Sequence, residues 1–328
     1  MKALVTGSTG LVGGWVARKL LERGHAVRAL VRDATRLPGP LAGQVEVVTG
    51  DVTDAASVFA AAKGVDWVFH AAGVPEQAVR DEGLFERVNH HGTVHVLDAA
   101  RKAGVRRVIY TSTMDVFAAA PGAVLSEGPV DPRPRPTAYE RSKQHAELAA
   151  RAAAAQGLDV VFLNPAAIYG PSSAPTMLTA TLQQLLRGEV PLLPPGGMSV
   201  VYVEGLADAH LAAAERGVAG QGYLVADAHL SPRGLAEVVA AQVPGVRVPP
   251  EGPAWLMRLI AALTTPVLLR LGKAPLLDPG QLVWLLNDTR VDASLAKTHL
   301  GFVPTPLEEG VRRTVAALDA MGRVHRLA

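Results

Sequence analysis

The sequence predicts an α/β protein: a doubly wound parallel sheet, with a smaller and mostly helical lobe for substrate binding added in the second half. Three observations predict it. Short runs rich in β-branched and other apolar residues alternate with amphipathic helical segments through the first half of the chain. Those runs are continuously apolar, as strands buried on both faces must be, and do not alternate polar with apolar. The first run ends in a glycine turn that opens directly into a helical pattern, which is how a strand–turn–helix unit of such a sheet begins.

Taken in order, the strands fall at Lys2 to Thr6, Ala26 to Val31, Val45 to Thr49, Trp67 to His70, Arg107 to Thr111 and Val160 to Asn164. The first helix, Val12 to Arg23, ends at Gly24, a residue suited to the left-handed position beyond a helix end. From Pro165 the texture changes. Pro171, Pro175, Pro191, Pro194 and Pro195 break the chain around one helix, Met177 to Arg187. Val200 to Val203 and Tyr223 to Val225 read as strands that return to the sheet. The expected division is therefore interleaved: 1–165 with strands returning from 200–226 for one domain, and 166–199 with 227–328 for the other. Ser231-Pro232 and Thr305-Pro306-Leu307-Glu308 each place a capping hydroxyl before a proline at a first helical position. Ala254 to Leu271 is apolar over most of its length but carries Arg258, Pro266 and Arg270, so it reads as an amphipathic helix or helix pair. A lid packed on the second lobe is the favoured reading of it, since surface attachment to a membrane would want a richer basic face.

Composition excludes several classes. A chain of 328 residues with 49% hydrophobic and 19% charged residues is not disordered, and it exceeds the usual span of one domain. The net charge is +2. The isoelectric point is near 9, but the basic residues are scattered, so nothing points to nucleic acid. Cysteine is absent, which removes disulfides, thiolate catalysis and cysteine-ligated zinc. The N-terminus lacks the long apolar stretch and cleavage site of a signal peptide, and a cytoplasmic protein is expected.

The chemistry starts at Gly7-Ser8-Thr9-Gly10-Leu11-Val12-Gly13. Placed after the first strand, its backbone N–H groups and the helix N-terminus face an incoming pyrophosphate. The spacing is Gly-x-x-Gly-x-x-Gly. Together with Tyr139-Glu140-Arg141-Ser142-Lys143, Thr111-Ser112-Thr113, Gly50-Asp51-Val52 and His70-Ala71-Ala72-Gly73, it resembles the extended short-chain dehydrogenase/reductase family. Asn164-Pro165-Ala166-Ala167-Ile168-Tyr169-Gly170-Pro171 and Tyr202-Val203-Glu204-Gly205-Leu206-Ala207 are similar to later segments of that family. The closest likeness is to its dihydroflavonol-reductase-like and 3β-hydroxysteroid-dehydrogenase-like branch.

The resemblance implies a Rossmann domain and hydride transfer. On a helix Tyr139 and Lys143 stand one turn apart, so the ammonium is expected to favour the charged phenol and lower its pKa. Tyr139 would then protonate an alkoxide or take the proton in reverse. By resemblance Lys143 also holds the nicotinamide ribose, Thr113 orients the carbonyl oxygen, and Gly7, Thr9, Gly10, Leu11, Val12, Gly13, Asp51, Val52, His70, Ala71, Ala72, Gly73, Pro165 and Ile168 line the dinucleotide. At the end of the second strand Val31 stands where the family's acid would be, with Arg32 next, which favours NADP. The rival is that Asp33 reaches the ribose of NAD while Arg32 is merely solvated.

His91, His95 and Asp98 share a helix face at metal-like spacing, but they align with a family segment that packs or meets a second subunit, so no metal is expected and a homodimer is. Asn89 reads as a helix-start hydrogen bonder. The loop from Ala118 to Thr137 is expected to cover the pocket with Phe117, Val124, Leu125 and Val130, while Arg133 and Arg135 either grip an acidic group or form a solvated rim. The leading function is an NADP-dependent oxidoreductase for an apolar ketone, aldehyde or secondary alcohol. The alternative is a nucleotide-sugar epimerase or dehydratase with held NAD. Against it, no Arg precedes the late strand at Gly197 to Tyr202 to meet a diphosphate, although Arg187 or Arg233 could supply one. A dinucleotide sensor without catalysis is disfavoured by intact Thr113, Tyr139 and Lys143.

Overall fold

The computed structural model describes residues 1–76, 79, 81–171, 176–271 and 279–322. Pro175, and residues 272–278 and 323–328 of the expected second lobe, lie outside them.

The first half runs β1 (Lys2–Thr6), α1 (Leu11–Glu22), β2 (Ala26–Val31), β3 (Glu46–Thr49), α2 (Ala55–Ala62), β4 (Trp67–His70), α3 (Gly83–Phe85), a π-helical stretch Glu86–His91, α4 (Gly92–Ala103), β5 (Arg107–Thr111), β6 (Val124–Leu125), α5 (Ala138–Ala155) and β7 (Val160–Pro165). The second half runs β8 (Ala167–Tyr169), α6 (Met177–Leu186), β9 (Met198–Tyr202), α7 (Val203–Arg216), β10 (Gly222–Val225), β11 (Ala228–Leu230), α8 (Pro232–Gln242), α9 (Ala254–Arg270), α10 (Pro279–Asn287), β12 (Arg290–Val291), α11 (Ser294–Leu300) and α12 (Leu307–Ala320).

Seven parallel strands form the central sheet in the order β10-β7-β5-β4-β1-β2-β3. The chain starts in the middle and winds outward both ways. Parallel strands need crossovers, and the helices that supply them cover both faces. On one face Val5, Phe69 and Ile109 pack under α1, α7 and α11 through Val16, Leu20, Leu206, Leu211 and Leu300. On the other, Leu4, Val68 and Val108 pack under α2, α4 and α5 through Val58, Val96, Leu97 and Ala146. The strand order reverses between β1 and β4, so a crevice opens at their carboxyl ends, where ligands bind in such sheets.

Tyr223 to Val225 joins this sheet at its edge, as expected, but Val200 to Val203 does not. Its first three residues belong to β9, which pairs with β8 and β11 in a separate three-stranded sheet, and Val203 opens α7. An apolar run does not announce which sheet it enters, and here Tyr169, Leu182, Leu235 and Val311 form a second core around β9. Residues 203–225 do return, with α7 packed beside α1. Ser231 caps α8 by accepting the Gly234 N–H at 3.0 Å. Thr305 caps nothing: α12 starts one residue later than expected, with Pro306 at its N-cap, and the Thr305 N–H donates to Asp227. The segment expected as a helix or helix pair at Ala254 to Leu271 is one helix, α9, with Pro266 inside it.

Candidate active site

The turn between β1 and α1 is shaped by the absence of side chains. Gly7 has φ +75°, and a Cβ there would sit 2.7 Å from the backbone of Ala71 and Ala72. A Cβ at Gly13 would lie 2.4 Å from the Gly7 carbonyl oxygen. The turn thus lies against both the loop after β4 and its own helix. Gly10 occupies the N-cap of α1 with no side-chain hydrogen bond, and no acid stands in the first turn. The first-turn N–H groups at Leu11, Val12 and Gly13 therefore keep their positive end of the helix dipole for a ligand anion. The hydroxyl of Ser8 is buried without a protein partner. These features fit a dinucleotide pyrophosphate. Thr9 and Val12 are half-buried, and the Leu11 side chain turns into the core.

Ala71, Ala72 and Gly73 leave β4 beside this turn, with the Ala72 N–H donating to Thr6 Oγ1 at 3.2 Å. The expectation that His70 lines the groove is corrected for its side chain, which is fully buried between β1 and α4. Thr93 spends its proton on the Asn89 carbonyl, so His70 Nε2–H must donate to Thr93 Oγ1 at 2.9 Å, and Nδ1 accepts from Thr6 Oγ1 at 2.8 Å. Burial first, and Lys143 second, hold its pKa down to about 3. His70 is a neutral strut.

Across the turn, Arg32 is 71% exposed and stands 3.9 Å from the Asp51 carboxylate. Asp33, its rival, is spent locally: Oδ1 accepts the Thr35 N–H at 2.9 Å and the Thr35 hydroxyl at 2.6 Å. Those two bonds hold its carboxyl below the usual range. Asp51 closes a similar turn on Thr53, and Val52 is buried under α4, its carbonyl bonded by His95. Pro165 ends β7 in the core, and Ile168 in β8 packs half-buried against the α1 side of the sheet.

The hydroxyl, phenol and ammonium converge beyond β5. A capping box fixes the start of α5: Thr137 Oγ1 accepts the Glu140 N–H at 3.1 Å, and the Glu140 carboxylate accepts the Thr137 N–H at 3.0 Å. Tyr139 follows within the first turn, its ring edge-on to Phe85 at 6.0 Å. Thr113 stands close enough to the phenol to favour its ionised form, and donates its own proton to Asp115 Oδ2 at 2.6 Å. Lys143 Nζ donates to the Thr111 carbonyl at 2.9 Å and lies 4.9 Å over the Tyr110 ring.

The electrostatics differ from expectation. Burial foremost, then Asp115 and Glu76, push the Tyr139 phenol up, and Lys143 is not what sets it. Burial brings the Lys143 ammonium down to about 8 against the attraction of Glu147 and Asp115. Asp115, absent from the sequence reading, is raised to about 6 by burial despite the Thr113 bond. Its only sequence signal is an acid two residues after Thr113, a spacing common in turns.

Two amides hold this constellation. Asn164 Nδ2 donates to the Thr113 carbonyl at 3.2 Å and to Glu147 at 3.0 Å, and the buried Glu147 is in turn paired with Arg151 at 2.7 Å. Asn89 is no helix-start cap. It lies inside the π-helical stretch, accepts the Val74 N–H at 2.7 Å, and donates to Ser142 Oγ at 3.0 Å. It ties the loop after β4 to the helix carrying Tyr139.

Elsewhere, Arg133 and Arg135 both pair with Asp131, and Arg133 is 77% exposed, so the rim reading describes it. Arg233 pairs with Glu237 on the surface. Of the loop side chains, Phe117, Leu125 and Val130 are buried in a cluster with Met114 and Leu224, whereas Val124 faces out. His91 and Asp98 are exposed and are not gathered with His95. A different trio, Glu86, His90 and His145, clusters instead and links the π-helical stretch to α5.

Comparison with known proteins follows the same lines. Residues 3–226 match the NAD dependent epimerase/dehydratase family. The chain is 32% identical to sterol demethylase protein B of Methylococcus capsulatus, over 99% of this chain and all of that one. It is 30% identical to a putative dihydroflavonol 4-reductase of Synechocystis, covering 95% and 92% of the two chains. Among solved structures, that of MoeE5 in complex with UDP-glucose and NAD superposes with a TM-score of 0.76 at 26% identity, over 98% of this chain and 99% of that one.

Proposed function

Because the chain belongs to the NAD dependent epimerase/dehydratase family, the extended short-chain dehydrogenase/reductases, we propose that it is an NADP-dependent oxidoreductase interconverting an apolar ketone or aldehyde and its alcohol. One observation carries this: Tyr139, Thr113 and Lys143 meet at the carboxyl end of β5, on the crevice that the Gly7–Gly13 turn opens. The dinucleotide supplies or accepts the hydride at the substrate carbon. Leu11, Val12 and Gly13 would hold its pyrophosphate and Arg32 its 2′-phosphate.

The chain's own part is proton management. A phenol pushed up by burial is a proton held for delivery, so Tyr139 donates to the oxygen as charge develops there. Thr113 orients that oxygen by turning its proton away from Asp115, which is easiest when Asp115 carries a proton of its own. The engagement of Asp33 with Thr35 leaves Arg32, exposed and paired only at 3.9 Å with Asp51, as the side chain to meet a ribose phosphate, which supports NADP over NAD. The nucleotide-sugar alternative draws on the MoeE5 likeness. The pairing of Arg133 and Arg135 with Asp131, and of Arg233 with Glu237, speaks against it.

Titration of cofactor-stripped protein with NADPH and NADH, read by nicotinamide fluorescence, tests the cofactor. Preference for exchangeable NADPH is expected, and tightly held NAD would overturn it. Tyr139→Phe is expected to lower turnover by about 10²–10⁴-fold with dinucleotide affinity kept. Unchanged turnover would refute the mechanism.

A further inference from the structure

The outer face of α9 is uncovered. Trp255, Leu259, Leu263 and Val267 recur every four residues along it and Leu271 continues the series, all 48–66% exposed, with Val283 of α10 also exposed. These six are nearly half of the exposed large apolar side chains among the described residues. The inner face is apolar too: Met257 and Ala261 pack on Leu282, and Met257 and Ile260 wall an apolar cavity of about 160 Å³ with Leu178, Leu193 and Leu235. An exposed apolar stripe of this length marks an interaction face, so the outer face wants a partner.

We propose that α9 lies flat on an anionic lipid bilayer. Charge and pattern choose this occupant over a second copy of the chain. Residues 254–271 contain no acid, and Arg258 stands exposed beside the apolar face, where its stem can lie on lipid while its charge reaches phosphate. Trp255 opens the helix, a residue that favours the headgroup level. Each step of four residues advances about 40° around the axis, so the stripe fans over about 160° and fits a broad fluid surface better than a narrow helix–helix seam. No described helix is long and apolar enough to cross a membrane. The helix therefore lies on the surface, held by apolar contact plus a weak basic attraction. The lid reading correctly placed its inner side on the second lobe, but left the outer side without an account. The docking stands apart from the reaction proposed above.

The test is sedimentation of the full chain with vesicles of phosphatidylcholine alone or with 30% phosphatidylglycerol, at low and high salt. Partition onto the anionic vesicles is expected, falling at least tenfold in the double variant Leu259→Glu, Leu263→Glu and less steeply with salt. These side chains are exposed, so unchanged thermal unfolding and dinucleotide binding establish that the variant is folded. Absence of partition, or equal partition of the variant, overturns the proposal. So does a dimer that the double variant dissociates while neither protein binds vesicles, which would assign the face to a second copy.

Discussion

Replacing Asp115 with Asn isolates the charge at the centre of the site. The Asn carbonyl still accepts the Thr113 hydroxyl, so geometry is kept while the ionisation is removed. Asp115 is raised from 3.8 to about 6, chiefly by burial. A carboxyl whose folded pKa is raised binds its proton more tightly when folded, so its ionisation lowers stability as pH climbs from about 4 to about 6, and the deficit stays above that. Two units at 1.36 kcal/mol each give a ceiling of about 3 kcal/mol, a ceiling because Asp115 keeps some contact with water. With about 2.1 cal/mol/K per residue for unfolding, 328 residues give about 0.7 kcal/mol per degree, so Asp115→Asn should raise Tm by up to about 4 °C at pH 8. The gain should vanish by pH 4. Circular dichroism melts of both proteins from pH 4 to 8 measure it. A variant that melts at or below wild type at pH 8, or a difference independent of pH, refutes the claim that a strained buried carboxylate sits beside Thr113.

Three further outcomes follow from the site. Arg32→Ala should weaken NADPH at least tenfold and leave NADH nearly unchanged in paired titrations; equal losses would make Arg32 a general surface charge. Gly13→Ala should destabilise by about 2 kcal/mol and abolish dinucleotide binding, because overlap with the Gly7 carbonyl at 2.4 Å outweighs the gain of about 1 kcal/mol in helix propensity; a more stable variant in thermal melts would overturn the close approach. Asn164→Ala should lower kcat with little change in KM, since Asn164 acts on Thr113 through its carbonyl, and Asn164→Asp should not restore it; a pure stability loss with normal kcat would reduce Asn164 to a core strut.

Much of the framework was legible because local physics decides it. Four of the six expected strands have the observed bounds, since strands buried on both faces must be apolar throughout and the turns between them are marked by glycine. The glycine turn could be read because a backbone so close to another that a Cβ would lie within 3 Å of it leaves no choice of residue. What was not legible depends on neighbours distant in sequence. Nothing in Met198–Tyr202 tells which sheet it joins. Asp115 looks like any turn acid until β5 and α5 enclose it. The spacing of Tyr139 and Lys143 was readable, but the ammonium's actual partner, the Thr111 carbonyl, lies thirty-two residues away. Asn89 was misjudged because the π-helical stretch turns its amide toward Val74 and Ser142, where an α-helical start would have kept it local.

The buried titrations also oppose one another across the acid range, and this fixes the shape of the stability profile. His70 and His210 are held down to about 3 and about 4 by burial, so folding excludes their protons. A depressed His contributes stability above its unfolded pKa near 6.5 and loses it as pH falls toward the folded value. Together they should cost up to about 7 kcal/mol between pH 6.5 and 4. Asp115 and Asp227, both raised to about 6 by burial, run the other way and regain about 6 kcal/mol over nearly the same window. The two effects nearly cancel. Stability should therefore be almost flat from pH 6.5 to 4 and fall below 4, where Asp115 and Asp227 are already protonated while His70 and the depressed carboxyls of Asp33, Asp131 and Glu309 still take up protons. Asp115→Asn removes one compensating group, so its Tm should decline steadily through the same interval, from above wild type at pH 7 to level with it at pH 4. A wild-type Tm that already drops steeply between pH 6.5 and 5 would show that the buried carboxyls do not offset the histidines.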